Sequence, residues 1–229
     1  MKTIGLIGGT TWASTLDYYR YFNQMVQERM GGNHSAKCII YSINFQDLKN
    51  LAIKNDWDGI TQMLIDMGNT LKRSGADCLL LGANTLHKVA DKVRDAVDLP
   101  LIHVANATAE VINNSGLNKV GLLGTQVTME EPFYKEILKD HHIDSITPAQ
   151  PSREFIQNSI FNELGKGLIL GDTKNEYLDI IKLLINEGSE GIILGCTEIP
   201  MIIKQQDVSV PVFDTTIIHA KAAVDFILK

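Results

Sequence analysis

Short apolar runs alternate along this chain with longer stretches in which apolar residues recur every three or four positions. The runs are 2–8, 37–43, 76–81, 99–104, 119–124, 191–194 and 210–213, and their near-continuous apolarity predicts strands buried on both faces. Residues 58–73 carry Ile60, Met63, Leu64, Met67 and Leu71 at helical spacing, and 15–30 bring Leu16, Tyr19, Phe22, Asn23 and Val26 near one face. Further helices are predicted over 87–97, 129–140, 152–164, 175–186 and 216–228, with a polar, partly helical passage at 46–55. Strands alternating with helices in this way imply an α/β fold whose parallel sheets are covered on both faces.

The same pattern contains a duplication. IGLIGG at 4–9 recurs as VGLLGT at 120–125, SGADCLLLGANT at 74–85 as EGSEGIILGCTE at 187–198, and LPLIHV at 99–104 as VPVFDT at 210–215. The offsets are 116, 113 and 111, and the order of the blocks is kept. One such match is expected by chance among apolar strands ending in glycine; three in register imply two similar α/β lobes. The expected division is 1–100 plus 212–229 for lobe one and 101–211 for lobe two, related by a pseudo-twofold, with the active site in the cleft between them.

Composition narrows the partners. With 21 Lys and Arg against 27 Asp and Glu, the net charge is −6, and no basic stripe is available to displace counterions from nucleic acid. No apolar run reaches the roughly 18 residues needed to cross a bilayer. The opening MKTIGLIGGTTWAST is broken by glycines too early to serve as a signal peptide, so a cytoplasmic location is expected. Three cysteines without regular spacing form neither a disulfide framework nor a zinc site, so no metal is expected.

The chemistry gathers at strand ends, where open α/β sheets bind ligands. In GIILGCTEIP at 191–200 the apolar run stops at Gly195 and delivers Cys196 just before a helix start, whose N–H groups and dipole are expected to favour the thiolate. Cys38 and Cys78 lie inside apolar runs and read as packing. GGTTWAST at 8–15 lacks the GxGxxG spacing and the GK[ST] ending, and its hydroxyls at Thr10 and Thr11 suit a small carboxylate. Helix capping by Ser14 or Thr15 is the alternative role for that group. Asn84 and Thr85 in lobe one, and Thr125, Thr128 and Thr197 in lobe two, add donors, with turn chemistry an equally good account of Asn84 and Thr85. His103 ends a strand and His219 lies in the last helix, and no Ser-His-Asp arrangement is inferred. The duplication pairs Gly82 with Gly195, so Ala83 is the counterpart of Cys196: a methyl group where symmetry expects a thiol.

At these residues the chain resembles the aspartate/glutamate racemase family, the cofactor-independent amino-acid racemases. The resemblance spans nearly the whole chain and rests on IGLIGGTTWAST, NTLHKVAD at 84–91, GLLGTQVTM at 121–129, GCTEIP at 195–200 and FDTTIIHAKAAV at 213–224. It implies two flavodoxin-like lobes, no pyridoxal phosphate or other cofactor, usually a homodimer, and a small dicarboxylic amino acid as substrate. Two acid/base groups then flank the Cα, and donors stabilise the enediolate-like carbanion. The resemblance assigns one acid/base role to Cys196, the donor roles to Asn84, Thr85, Thr125, Thr128 and the Thr197 turn, and the second acid/base position to Ala83, which can neither take nor give a proton. Two other outcomes fit a single thiol. One is a decarboxylase resembling arylmalonate decarboxylase, and the other a binding protein that kept the site and lost the chemistry.

Overall fold

The computed structural model describes residues 1–229, which divide into two compact units, Met1–His103 with His219–Lys229 and Val104–Ile218. Each is built on a parallel sheet. In the first, β1 (Ile4–Gly8) lies between β2 (Cys38–Ser42) and β3 (Cys78–Leu81), and an isolated parallel bridge joins Leu79 to Leu101. In the second, β4 (Lys119–Gly124) lies between β5 (Asp144–Ile146) and β6 (Gly191–Gly195), and β6 pairs with β7 (Val212–Asp214). Both sheets therefore run second strand, first strand, third strand, the order of flavodoxin-like sheets.

Alternation along each strand explains why both faces are covered. In the first unit Ile4, Leu6, Cys78 and Leu80 pack with Tyr18, Phe22 and Val26 of α1 (Trp12–Met30) and with Ala220, Ala223 and Val224 of the last helix (Thr215–Ile227). Ile7, Leu79 and Leu81 pack on the other face with Leu64 and Leu71 of the helix Trp57–Arg73, and with Val93 and Val97 of the helix Ala90–Val97. The second unit repeats this. Leu123, Ile192 and Leu194 meet Ile156, Ile160, Tyr177 and Ile180 on one face, while Val120, Leu122, Ile193 and Phe213 meet Ala109, Ile112, Tyr134 and Leu138 on the other.

The duplication reaches individual hydrogen bonds. Gly75 and Gly188, 113 residues apart, both take left-handed turns (φ 96° and 93°) into β3 and β6. The N–H of Asp77 donates to Thr3 O at 2.9 Å and that of Glu190 to Lys119 O at 2.8 Å. Leu79 N donates to Pro100 O at 2.8 Å, and its counterpart Ile192 N donates to Pro211 O at 2.9 Å.

Several expectations are corrected. Residues 212–218 belong to the second unit, because β7 pairs with β6, and the first boundary falls at His103 rather than at 100. The strand expected over 99–104 reduces to the Leu101 bridge, since Pro100 has no N–H to donate and helix Val104–Asn114 starts at once. The helix expected over 129–140 is two, Gln126–Glu130 and Pro132–Asp140, because the residue before Pro132 is held extended (ψ 150°). On α1 the buried side holds Ser14, Thr15, Tyr18, Phe22 and Val26, whereas Leu16 and Tyr19 are 57% and 49% exposed. No helix is long and apolar enough to cross a membrane.

Candidate functional site

Cys196 follows the last residue of β6, as expected, and is buried at 8% exposure. Its delivery depends on close packing of two strand ends. Gly124 and Gly195 are in register, and a Cβ on Gly195 would come within 2.6 Å of Leu123 O, so only glycine fits before the thiol. Cys196 joins Tyr177, Ile199 and Ile202 in the apolar cluster of the second unit. Its Sγ donates to Glu198 Oε2 at 2.9 Å, and the Thr197 hydroxyl donates to the same oxygen at 2.8 Å.

This geometry reverses the expected electrostatics. The helix beyond Cys196 is a single turn, Ile199–Ile202, capped at Glu198, so little dipole bears on the sulfur. Burial pushes the Cys196 thiol well above its ordinary range, and the Glu198 carboxylate beside it pushes the same way. The N–H groups of Glu198 and Thr197 pull in the other direction and lose. The resting group is therefore a thiol, a proton donor rather than a standing thiolate. Cys78 is fully buried and pushed up to about 12 by burial, in keeping with its packing role.

Thr125 and Thr128 stand at the end of the neighbouring strand β4. Thr125 caps the following helix by accepting from Thr128 N at 3.3 Å, and the two hydroxyls lie 3.1 Å apart. Asp214, at the end of β7, accepts from Thr216 N at 2.9 Å and Ile217 N at 3.3 Å, and burial raises its pKa against those bonds. Thr215 ties the strand ends together through its hydroxyl, which donates to Leu194 O at 2.8 Å.

The first unit makes the matching arrangement without the thiol. The Thr10 hydroxyl donates to Gly82 O at 3.3 Å and so brings the end of β1 to the end of β3. Gly9 turns at φ 87°, where any Cβ would strike Ile43 O, and its N–H donates to Thr15 Oγ1 at 2.7 Å. The cap of α1 is Thr11, accepting from Ser14 N at 3.3 Å, and not Ser14 or Thr15. After β3 come Ala83, Asn84 and Thr85, with Asn84 buried and Thr85 half-buried. Asn84–Val89 is a 3-10 turn rather than the first turn of a long helix from 87. The Ala83 carbonyl accepts from Leu86 N at 3.3 Å and from the His87 Nδ1–H at 3.0 Å, so the imidazole occupies the place of an α-helical N–H donor.

The residues named from the sequence thus gather within each unit: Thr10, Ala83, Asn84 and Thr85 at one sheet's strand ends, and Thr125, Thr128, Cys196 and Thr197 at the other's. Thr11 is drawn off to cap α1. Sequence reasoning missed Glu198, although it lies two residues beyond the thiol it binds. It also missed Asp214, whose signal was its place at the end of an apolar run.

Residues 7–223 match the Asp/Glu/hydantoin racemase family. The chain belongs to that family. It is similar to a provisional Asp/Glu racemase from Yersinia pestis, 47% identical with a TM-score of 0.94, each chain covering 100% of the other. An aspartate racemase homologue from Pyrococcus horikoshii OT3 is 38% identical with a TM-score of 0.87, again with 100% coverage of both chains. The broad-specificity amino-acid racemase RacX of Bacillus subtilis is 22% identical over 176 residues, 74% of this chain and 73% of RacX.

Proposed function

We propose that this member of the family is a cofactor-independent amino-acid racemase of the aspartate/glutamate type, with Cys196 as its acid/base thiol. The observation that carries the reading is the pair Cys196–Glu198, a buried thiol donating at 2.9 Å to a buried carboxylate at a strand end. The pair holds one mobile proton. When Sγ–H passes its proton to Glu198, the resulting thiolate can take the substrate's α-hydrogen as a proton, leaving the electron pair on the carbanion. Return of a proton from Sγ reverses the step. Backbone N–H groups and hydroxyls at the strand ends, those of Asn84, Thr85, Thr125, Thr128 and Thr197, stabilise the charge that moves onto the carboxylate. Full racemisation needs a second proton from the opposite side of the carbanion. Ala83, the counterpart of Cys196 in the internal repeat, supplies none, so water must serve or activity is one-sided.

The deciding experiment follows the α-hydrogen in D2O with each enantiomer of aspartate and of glutamate. Exchange of one enantiomer faster than the other is the expected result. Absence of exchange with all four would sink the proposal.

The protonated thiol also favours a second reading, single-thiol decarboxylation of a disubstituted malonate. There the C–C bond breaks, CO2 leaves, the electron pair remains on an enediolate, and Cys196 donates its proton to one face. Release of CO2 from such a malonate, with no exchange on amino acids, would select it.

A further inference from the structure

Three histidines meet inside the first unit. The His87 ring lies 4.6 Å from that of His103 and 5.3 Å from that of His219, and His87 and His219 are 2% and 0% exposed. Their tautomers follow from their partners, because a carbonyl oxygen only accepts. His87 Nδ1 is 3.0 Å from Ala83 O and so carries its hydrogen, leaving Nε2 bare and buried, with the Ile102 carbonyl near the ring but already bonded by His219. His219 is the opposite. Its Nε2 donates to Ile102 O at 2.7 Å, and its Nδ1 accepts from the Tyr18 hydroxyl at 2.9 Å.

We propose that His87 is a positioning residue: as the neutral Nδ1–H tautomer it clamps the Ala83 carbonyl and so fixes the turn that presents Asn84 and Thr85 to the substrate carboxylate. The proposal rests on the amino-acid reading of the site. A histidine suits this place because the donor must reach back four residues while the far edge of the side chain stays buried. Leucine would fill the space without the N–H, and lysine would bring a charge into it.

The surroundings keep the ring neutral. His103 and His219 face it, and no carboxylate is bonded to it; Asp91 and Arg94 act on His103 in opposite senses. Burial, then the nearby His103 and His219, hold His87 far below its ordinary range, and burial brings His103 and His219 down to about 4. The clamp thus operates across the neutral range without titrating.

The test has two arms. In the 15N-labelled chain, imidazole nitrogen shifts should show His87 protonated at Nδ1 and His219 at Nε2, with neither changing between about pH 8 and pH 6. An Nε2-protonated His87, or one that titrates in that span, would overturn the proposal even where variants fail to fold. In the second arm, His87→Asn places an amide N–H where Nδ1–H was, whereas His87→Gln places it where Nε2 was and His87→Leu supplies none. His87→Asn should keep the KM for aspartate within about threefold, while Gln and Leu raise it about tenfold, the loss of one hydrogen bond's worth of order. Equal behaviour of Asn and Gln, or a silent Leu variant, would also overturn it. If the unaltered chain exchanges no α-hydrogen, the racemase reading alone has failed. The tautomers, together with the Asn84 and Thr85 amide shifts in the Asn and Leu variants, then still decide the clamp.

Discussion

The ends of β3 and β6 are the same structure carrying different chemistry. Both are entered from a left-handed glycine turn, at Gly75 and Gly188, and in both a backbone N–H donates to the proline carbonyl of a following Leu-Pro or Val-Pro segment. Beyond the terminal glycines they part. After Gly82 a backbone carbonyl, that of Ala83, is held by an imidazole; after Gly195 a thiol, that of Cys196, is held by a carboxylate. The comparison teaches that backbone hydrogen bonds preserve a scaffold whatever side chain it displays. Proton transfer depends on a single atom, Sγ, which one half has and the other lacks.

Removing that atom should produce the largest effect. Cys196→Ser replaces the thiol with a hydroxyl that will not ionise, and α-hydrogen exchange should fall by about 10²- to 10⁴-fold, the usual worth of a positioned acid/base group. An unchanged rate in D2O would mean that a group other than Cys196 moves the α-proton. The converse substitution sharpens the contrast from the other side. Ala83→Cys gives the first unit the missing group, and racemisation of aspartate, followed by polarimetry, should rise by about 10²-fold, at the lower end of the same range. A rate that stays put would mean that the repeat does not map onto the reaction.

How far the sequence anticipates this can be judged residue by residue. The strands were legible because a buried parallel strand leaves a continuous apolar run, and the three-block repeat identified β1, β3 and β6 with their partners. β5 was not, because Asp144–Ile146 is three residues at a sheet edge, the first exposed and the other two only half-buried. Helix Val104–Asn114 was hidden by the apolar LIHV that runs straight into it. At the site, the position of Cys196 was legible and its electrostatics were not. A sequence shows a thiol before a helix, but whether Glu198 folds back onto Sγ is a matter of rotamer and packing. The His87 clamp is likewise a tertiary fact: four residues separate donor and acceptor, yet His103 and His219, which keep the ring dry, come from elsewhere in the chain.

Glu198→Gln is a finer probe of the β6 turn. The neutral amide removes the charge that helps push the thiol up, so the Cys196 pKa should move down toward its ordinary range, read as ultraviolet thiolate absorbance against pH. If the thiol's ionisation alone limited the reaction, the rate would rise. With Glu198 as the proton acceptor it should instead fall, by about tenfold or more, since amides do not accept the proton. A faster variant would reduce Glu198 to an electrostatic neighbour.

The smallest effect separates the β3 turn from the β6 turn by stability rather than rate. His103 and His219 are held at about 4 in the folded chain against 6.5 when exposed, and His87 is lowered as well. A depressed histidine adds no pH dependence while both states are neutral, above pH 6.5. As pH falls from there toward about 4 the unfolded chain takes up protons that the folded chain refuses, so stability declines. The slope is at most about 1.4 kcal/mol per pH unit for each such group. Cys196 acts at the other edge. Its raised pKa costs stability only above the ordinary thiol range, where the unfolded thiol ionises and the folded one does not. Urea unfolding between about pH 7 and pH 5 should therefore be shallower in His219→Gln, which keeps the N–H donor to Ile102 and loses the titrating ring, and unaltered in slope in Cys196→Ser. Equal slopes in the parent and His219→Gln would show that the imidazole core of the first unit is not a store of refused protons, and would take from the β3 turn the one electrostatic feature that distinguishes it.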